Sequence, residues 1–253
     1  MLAAARLRSI LLVTLVLTVI SSACNQADEI RTQALADSKA VTFVSPDGVE
    51  LAGRVFGPDD ATAGVVLAHM LPADQSSWFD FADRVGDLGY RVLTFDFRGY
   101  CPGGDAGCSQ GTKQVSAAGQ DLQGAIGYLM EQGVRRIALV GASMGGTASL
   151  LVGSRGDKAI RAVVTLSAPA SIDGLVAGPD ILAATTAAKL FIAGNGDVVA
   201  AESAQTFYDQ SVLPKRVELL TTADHGTDLL EGNQGEIVRN LIIGWLGQYV
   251  PPS

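Results

Sequence analysis

The sequence predicts a doubly wound α/β domain with a mostly parallel, eight-stranded sheet flanked by helices. From residue 40 onward, short apolar runs alternate with segments of helical periodicity, and several of the runs are apolar without interruption. Uninterrupted apolar runs are typical of strands that are buried on both faces, as in a parallel sheet. Strand–helix alternation favours βαβ units. The predicted strands are 41–44, 50–55, 64–69, 91–96, 136–141, 161–166, 189–193 and 216–220.

The segments between these strands complete the prediction. The turn sequence Ser-Pro-Asp-Gly joins the first two strands and predicts that they form an antiparallel pair. Apolar residues recur at three- and four-residue intervals over 78–88, 115–129 and 237–245, which predicts three helices. The connection 167–188 has room for one short helix, so we expect a minimal cap over the sheet.

Composition excludes several classes of protein. The 253 residues carry 18 basic and 26 acidic side chains, for a formal net charge of −8, which argues against an electrostatic nucleic-acid binder. With 2 histidines and 3 cysteines the chain has little material for a zinc cage, and we expect no metal and no cofactor. Any chemistry that depends on histidine must use His69 or His225.

The N-terminal segment has the layout of a secretory signal. Arg6 and Arg8 precede an apolar stretch at 10–20, and small residues precede Cys24. The apolar stretch is shorter than the ~20 residues that a membrane-spanning helix needs. We therefore expect residues 1–23 to be a signal peptide that is removed.

Cys24 stands where a bacterial lipobox places its lipidated cysteine, although Ser21 occupies a position that this pattern prefers to fill with an aliphatic residue. A lipid on Cys24 would tether the protein to a membrane through the polar residues 24–39, with the catalytic domain at 40–253. Ordinary secretion, for example into a periplasm, and an uncleaved anchor are the alternatives. Each of them places the domain outside the cytoplasm.

The remaining cysteines, Cys101 and Cys108, enclose six residues after the fourth predicted strand. Outside the cytoplasm, an even pair at short range favours a disulfide. The alternative is two reduced thiols in a surface loop.

The sharpest motif is Gly141-Ala142-Ser143-Met144-Gly145, which follows a predicted strand and opens a helix-compatible run. This setting is that of a nucleophile elbow, in which a strained turn presents the serine hydroxyl at the carboxyl edge of the sheet. Gly141 and Gly145 suit the close approach of strand and helix. An ordinary glycine-rich turn is the alternative interpretation.

A serine hydroxyl is a poor nucleophile without a base, and His225 is the candidate. His225 follows the last predicted strand, so its loop reaches the same edge of the sheet as Ser143. Asp197 follows the preceding strand and is the candidate for orienting the imidazole. Asp173 is the substitute acid, and Asp224 is a poor one because it is adjacent to His225 in sequence.

At these residues the chain resembles the α/β-hydrolase superfamily, of the esterase/lipase and serine-aminopeptidase-like type. Ser143, Asp197 and His225 occur in the order of that family. The segment Leu67-Ala68-His69-Met70 is similar to its His-Gly motif after the third strand. Likewise, Asp96-Phe97-Arg98-Gly99 is similar to its Asp-x-Arg-Gly turn after the fourth.

The resemblance implies a serine hydrolase that cleaves small-molecule carboxylic esters through a Ser-His-Asp triad. It implies an oxyanion hole made by the backbone N–H groups of Met70 and Met144, with Met70 narrowing the acyl site because the family has glycine there. His69 is expected to hold this loop, and Asp96 and Arg98 to form a structural turn pair.

Other functions stay open at this point. Acyl transfer and hydrolysis of thioesters or peptides use the same triad, and a surface-tethered binding protein could use the same scaffold without turnover. The sequence predicts no oligomeric state.

Overall fold

A computed structural model describes residues 32–101 and 108–252 of the chain. The predicted signal peptide, the predicted lipidation site Cys24 and residues 24–31 of the predicted tether lie outside the described residues. The described end of that tether packs on the domain, because 32–36 are helical with Ala34 fully buried and Lys39 begins the first strand. In the part of the chain that is described, no helix is long and apolar enough to cross a bilayer.

All eight predicted strands form, and they pair in a single sheet. The strands are β1 (Lys39–Val44), β2 (Glu50–Phe56), β3 (Ala63–Ala68), β4 (Arg91–Phe95), β5 (Arg136–Ala142), β6 (Ile160–Leu166), β9 (Ala188–Gly194) and β10 (Lys215–Leu220), and a separate hairpin holds β7 (Ser171–Ile172) and β8 (Leu175–Val176). The order across the sheet is β1-β2-β4-β3-β5-β6-β9-β10. Strand β2 runs antiparallel to both of its neighbours and the other pairings are parallel, which confirms the predicted fold class.

Helices cover both faces of this sheet. Residues 32–36 are helical and are here called α1. The later helices are α2 (Phe79–Asp87), α3 (Ala118–Glu131), α4 (Met144–Gly153), α5 (Pro179–Ala184), α6 (Val198–Gln210), α7 (Asp228–Glu231) and α8 (Gly235–Tyr249). Helices α3, α4 and α6 contribute to one apolar cluster, and α2 and α8 to another.

The central strand β3 shows why its sequence is apolar throughout. Its side chains alternate between the two clusters: Val66 and Ala68 belong to one, and Val65 and Leu67 to the other. Because successive side chains of a strand point to opposite faces, a strand with helices on both faces needs apolar residues at every position.

The connection between β6 and β9 holds more than the one short helix that the sequence predicts. Besides α5 it contains the hairpin β7–β8, which turns at Gly174. A Cβ placed on Gly174 would lie 3.1 Å from the Ser116 Cβ, and the Thr147 hydroxyl in α4 donates a hydrogen bond of 2.7 Å to the Pro169 carbonyl. The hairpin thus spans the first turns of α4 as a small cap, in keeping with the minimal cap that the sequence predicts.

The predicted disulfide between Cys101 and Cys108 is confirmed. It closes a loop whose two arms are hydrogen-bonded to each other, because the Ser109 N–H donates to the Tyr100 carbonyl at 3.0 Å. The residues enclosed by the bridge, 102–107, lie outside the described residues.

Asp96 and Arg98 are both structural residues of the turn after β4, as expected, but each is held by other partners. The Arg98 guanidinium donates to Asp121 at 2.7 Å and to Asp47 at 2.8 Å. Asp96 instead accepts hydrogen bonds from the backbone and side chain of Gln75, at 2.9 and 2.6 Å. Both groups therefore stabilise the β4 turn, but through partners that lie far away in sequence.

Candidate active site

Ser143 occupies a sharp turn between β5 and α4. Its φ of 47° and ψ of −114° lie outside the regions that L-residues favour, a conformation that costs roughly 1–3 kcal/mol and must be enforced by its surroundings. The Ser143 N–H donates to the Leu166 carbonyl on β6 at 2.8 Å. The turn thereby holds the serine at the carboxyl edge of the sheet.

The glycines on either side of Ser143 allow the chain to bend this tightly. A Cβ on Gly141 would lie 2.5 Å from the Gly146 nitrogen, and a Cβ on Gly145 would lie 2.7 Å from the carbonyl carbon of Ala68 on β3. Since real Cβ atoms do not approach backbone atoms this closely, both positions require glycine.

His225 and Asp197 meet at the same edge. The His225 Nδ1 lies 2.6 Å from the Asp197 Oδ2, with the histidine side chain 42% exposed and the aspartate 17% exposed. Backbone hydrogen bonds join the two loops: the Asn195 N–H donates to the Leu220 carbonyl at 2.8 Å, and the Gly196 N–H to the Thr222 carbonyl at 2.9 Å. The pairing of β9 with β10 therefore fixes the contact between imidazole and carboxylate.

The other two candidate acids are engaged elsewhere. Asp173 is exposed in the turn of the β7–β8 hairpin. The Asp224 carboxylate accepts a hydrogen bond of 2.7 Å from the Thr222 hydroxyl. Of the three carboxylates named from the sequence, only Asp197 is hydrogen-bonded to His225.

Gly226 brings the His225 loop against the serine turn. A Cβ on Gly226 would lie 3.5 Å from the Ala142 Cβ, and closer still to the Met70 sulfur. The loops that follow β3, β5 and β10 therefore converge at one place. The Ser143 hydroxyl and the His225 ring are not hydrogen-bonded to each other in this conformation; such bonds tighten in many hydrolases when substrate is present.

The second histidine, His69, lies buried beneath these loops. Its Nε2 accepts a hydrogen bond of 3.1 Å from the Phe97 N–H, so the proton is on Nδ1, which donates to the Met70 carbonyl at 2.9 Å. Burial lowers the pKa of His69 to about 4, so the ring is neutral at pH 7. His69 thus ties the β3 loop to the β4 loop, and both ring nitrogens are occupied.

Two backbone N–H groups are candidates for binding negative charge. Met144 is the first residue of the ten-residue helix α4, and Met70 lies in the loop after β3. Among the described residues, neither N–H donates a hydrogen bond to the protein. The N-terminus of a helix adds a favourable field for an anion at this point.

The polar groups that support the loops from below were not predicted from the sequence. Gln75 holds the buried carboxyl of Asp96, whose pKa is raised to about 6 by burial. The Ser109 hydroxyl donates to the Asp96 carbonyl at 2.6 Å and accepts from the Ala52 N–H at 2.9 Å. No local pattern marks these residues, because each partner lies 13 or more positions away in sequence.

Solved structures with the same fold are similar to this chain at low identity. A Pyrococcus furiosus esterase is 20% identical, with a TM-score of 0.68 over 84% of this chain and 93% of that one. A thermophilic esterase from Thermogutta terrifontis is 18% identical, with a TM-score of 0.66 over 83% and 98%. A dienelactone hydrolase from Anabaena variabilis is 21% identical, with a TM-score of 0.68 over 85% and 99%.

At these identities the likeness shows the fold alone. No curated protein sequence matches the chain significantly. The family model for the alpha/beta hydrolase fold matches residues 65–226, a segment that begins in β3 and ends directly after His225. With more than half of the chain matched, and with the sheet order and turns described above, the protein belongs to the α/β-hydrolase family.

Proposed function

We propose that this protein is a serine hydrolase that cleaves carboxylic esters, with Ser143 as nucleophile, His225 as general base and Asp197 as the residue that positions His225. The observation that carries the proposal is the strained serine turn, held at the same sheet edge as a histidine whose Nδ1 is 2.6 Å from a carboxylate. Strain of this kind persists where function requires it.

The chemistry follows from these positions. Asp197 holds the proton on the Nδ1 of His225, which leaves Nε2 free to accept the proton of Ser143 as its Oγ attacks the ester carbonyl. The tetrahedral intermediate collapses, and His225 returns that proton to the departing alcohol. A water molecule that His225 deprotonates then attacks the acyl-enzyme, which releases the carboxylic acid and restores Ser143.

The negative charge that develops on the carbonyl oxygen needs hydrogen-bond donors. The Met144 N–H is one, and the Met70 N–H is the second that the sequence suggests. The Leu71 N–H is a further candidate: the Met70 carbonyl is bonded to His69, and in a peptide unit the next N–H points the opposite way. Either donor is positioned by His69.

Met70 is proposed to limit the size of the acyl group. Its sulfur lies beside Gly226, between the β3 loop and the loop that carries His225. Met70→Gly is expected to shift the preference among p-nitrophenyl esters toward longer acyl chains, because it removes the thioether and keeps the backbone N–H.

The esterases and the dienelactone hydrolase among the similar structures support hydrolysis of a small ester. Acyl transfer and hydrolysis of thioesters or peptides use the same residues and are the alternatives within the same mechanism. A binding protein without turnover would leave the strained turn at Ser143 unexplained.

The test is covalent labelling of the purified protein with a fluorophosphonate probe. Wild type should be labelled, whereas Ser143→Ala should not be and His225→Ala should react at least about 100-fold more slowly. Ser154→Ala, at the far end of α4, is the matched control and should label normally. Labelling that persists in Ser143→Ala would show a different nucleophile. A wild type that neither labels nor turns over short esters would favour a binding protein.

We also propose that the protein is exported and, through a lipid on Cys24, attached to a membrane. The basic, apolar and small-residue order of residues 1–23 supports export, and the disulfide suits an oxidising compartment. The intact mass of the processed protein distinguishes a lipidated Cys24 from plain cleavage and from no cleavage.

A further inference from the structure

Strand β10 forms one edge of the sheet, and half of its backbone groups face outward. The Pro214 and Leu220 carbonyls accept hydrogen bonds from the N–H groups of Lys189 and Asn195, which shows that even-numbered residues face β9. In a parallel pair the N–H and C=O of one residue point to the same side, so those of the odd-numbered residues point away. Among the described residues, no other strand pairs with this side of β10.

The charged side chains on this edge are arranged so that they complement those of a second, antiparallel copy of the strand. Arg216 and Glu218 lie two positions apart, so they are on the same face of the strand, 51% and 29% exposed. Within one chain they form an ion pair with each other, and the remaining carboxylate oxygen and N–H groups can bind a facing charge. The two residues flank Val217, which lies at the middle of the edge. A strand with a cation on one side of its centre and an anion on the other can pair antiparallel with a copy of itself and match every charge.

We propose that a second copy of this chain pairs with β10 in antiparallel orientation, about a two-fold axis at Val217. In this register Val217 faces the partner subunit's Val217, and Lys215 faces the partner subunit's Leu219. All of these positions carry outward-pointing backbone groups, so every one of them can exchange hydrogen bonds.

In the same register, each charged side chain of β10 faces an opposite charge of the partner strand. Arg216 stands opposite the partner subunit's Glu218, and Glu218 opposite the partner subunit's Arg216. These are non-hydrogen-bonded pairs, in which the side chains of facing residues approach most closely. A shift of the register by two residues would lose both of these matches and set either Arg216 or Glu218 opposite its own copy, so the charges specify this alignment.

Apolar surface beside the edge supports the same occupant. A groove of about 490 Å³ runs between Arg216 and helix α8. Leu241 and Trp245 line it together with Ile237, which is 53% exposed. A two-fold axis perpendicular to the sheet keeps α8 of both copies on the same face, so the partner subunit's α8 lies alongside this groove and shields it from water. Trp245 is buried, Leu241 is half-buried and Ile237 is exposed, and the polar Asn240 and Gln248 complete the lining. An exposed apolar side chain in a groove beside an unpaired strand is what a paired copy would cover.

Two charge variants test the register. Arg216→Glu leaves only acids at positions 216 and 218, and Glu218→Arg leaves only bases, so each variant brings like charges together when it pairs with itself. When the two variants are mixed, every facing pair is of opposite charge. The full chain, kept in detergent because of its apolar N-terminal segment, is measured by sedimentation at about 50 μM, with one variant carrying a mass tag.

Wild type should sediment as a dimer, and each variant alone should need at least about 10-fold more protein to dimerise. The equimolar mixture should form dimers that contain one copy of each variant, at the wild-type concentration. Unchanged thermal melting and ester hydrolysis of the separate variants would show that the fold is intact. A monomeric wild type overturns the proposal. So does a dimer that persists in both variants, or a mixture that fails to form mixed dimers.

Discussion

His69 should make the folded protein sensitive to acid. Burial lowers its pKa to about 4, whereas a histidine in the unfolded chain has a pKa near 6.5. The unfolded chain therefore binds a proton on this ring between those two values and the folded protein does not. Since the unfolded state takes up more protons in that range, stability is lost as the pH falls from 6.5 to about 4.

The size of the loss follows from the two pKa values. Between about pH 7.5 and about pH 4.5, a shift from 6.5 to about 4 lowers the free energy of unfolding by roughly 2–3 kcal/mol. Asp96 acts in the opposite direction, because its pKa is raised to about 6 and acid relieves the cost of its buried charge. The pH dependence of wild type alone therefore mixes two terms of opposite sign.

Comparison of wild type with His69→Gln separates the contribution of His69 from that of Asp96, since glutamine does not titrate and Asp96 is present in both proteins. Glutamine can still accept the hydrogen bond from Phe97, but it loses the shape of the ring, so the variant should be less stable at about pH 7.5. In urea titrations, the stability advantage of wild type over the variant should shrink by roughly 2–3 kcal/mol at about pH 4.5. An advantage that stays the same at both pH values would refute the assignment of a buried, neutral His69.

Three further predictions concern stability. Gly145→Ala should destabilise the fold by roughly 2 kcal/mol or more in a urea titration and abolish labelling of Ser143, because the new Cβ meets the backbone of β3. As a control, Gly127→Ala in α3, where the new Cβ has open space, should stabilise the fold by about 0.5–1 kcal/mol. Asp121→Asn should cost roughly 3 kcal/mol in thermal unfolding, since it leaves the buried Arg98 guanidinium short of a charge, and the exposed Asp47→Asn should cost much less. Reducing the disulfide should lower the free energy of unfolding by about 2.5 kcal/mol, the chain-entropy value for so short a loop; an equal midpoint with and without a dithiol would contradict this.

The sheet could be predicted from the sequence because its signal is local. Strands β3, β5 and β6 are covered by helices on both faces, so nearly every position of these runs is buried and is occupied by an apolar residue. Helix α6 was not predicted, because its buried face consists mainly of Ala200, Ala204 and Phe207, a weak apolar stripe. The β7–β8 hairpin was missed for a different reason: two-residue strands are too short to show alternation.

The candidate site could be predicted as far as chain order and loop position determine it. Loops that follow parallel strands open at one edge of the sheet, so Ser143, Asp197 and His225 could be placed together from the strand pattern. The partners of Arg98 could not, because Asp47 lies 51 positions away and no local pattern links the two. Such contacts arise only when the whole sheet has assembled.

The two histidines differ in burial and in hydrogen bonding because they follow different strands of the sheet. Both follow strands and both lie in loops at the same edge of the sheet. His69 follows the central strand β3, so Phe97 and Tyr100 cover it with ring centres 4.8 Å away, and desolvation keeps it neutral with both nitrogens bonded to backbone. His225 follows the edge strand β10, where its side chain is 42% exposed and its Nδ1 lies 2.6 Å from the Asp197 carboxylate. The general base of the mechanism proposed above must gain and lose a proton in each turnover, and the exposed position of His225 suits that role whereas the buried position of His69 does not.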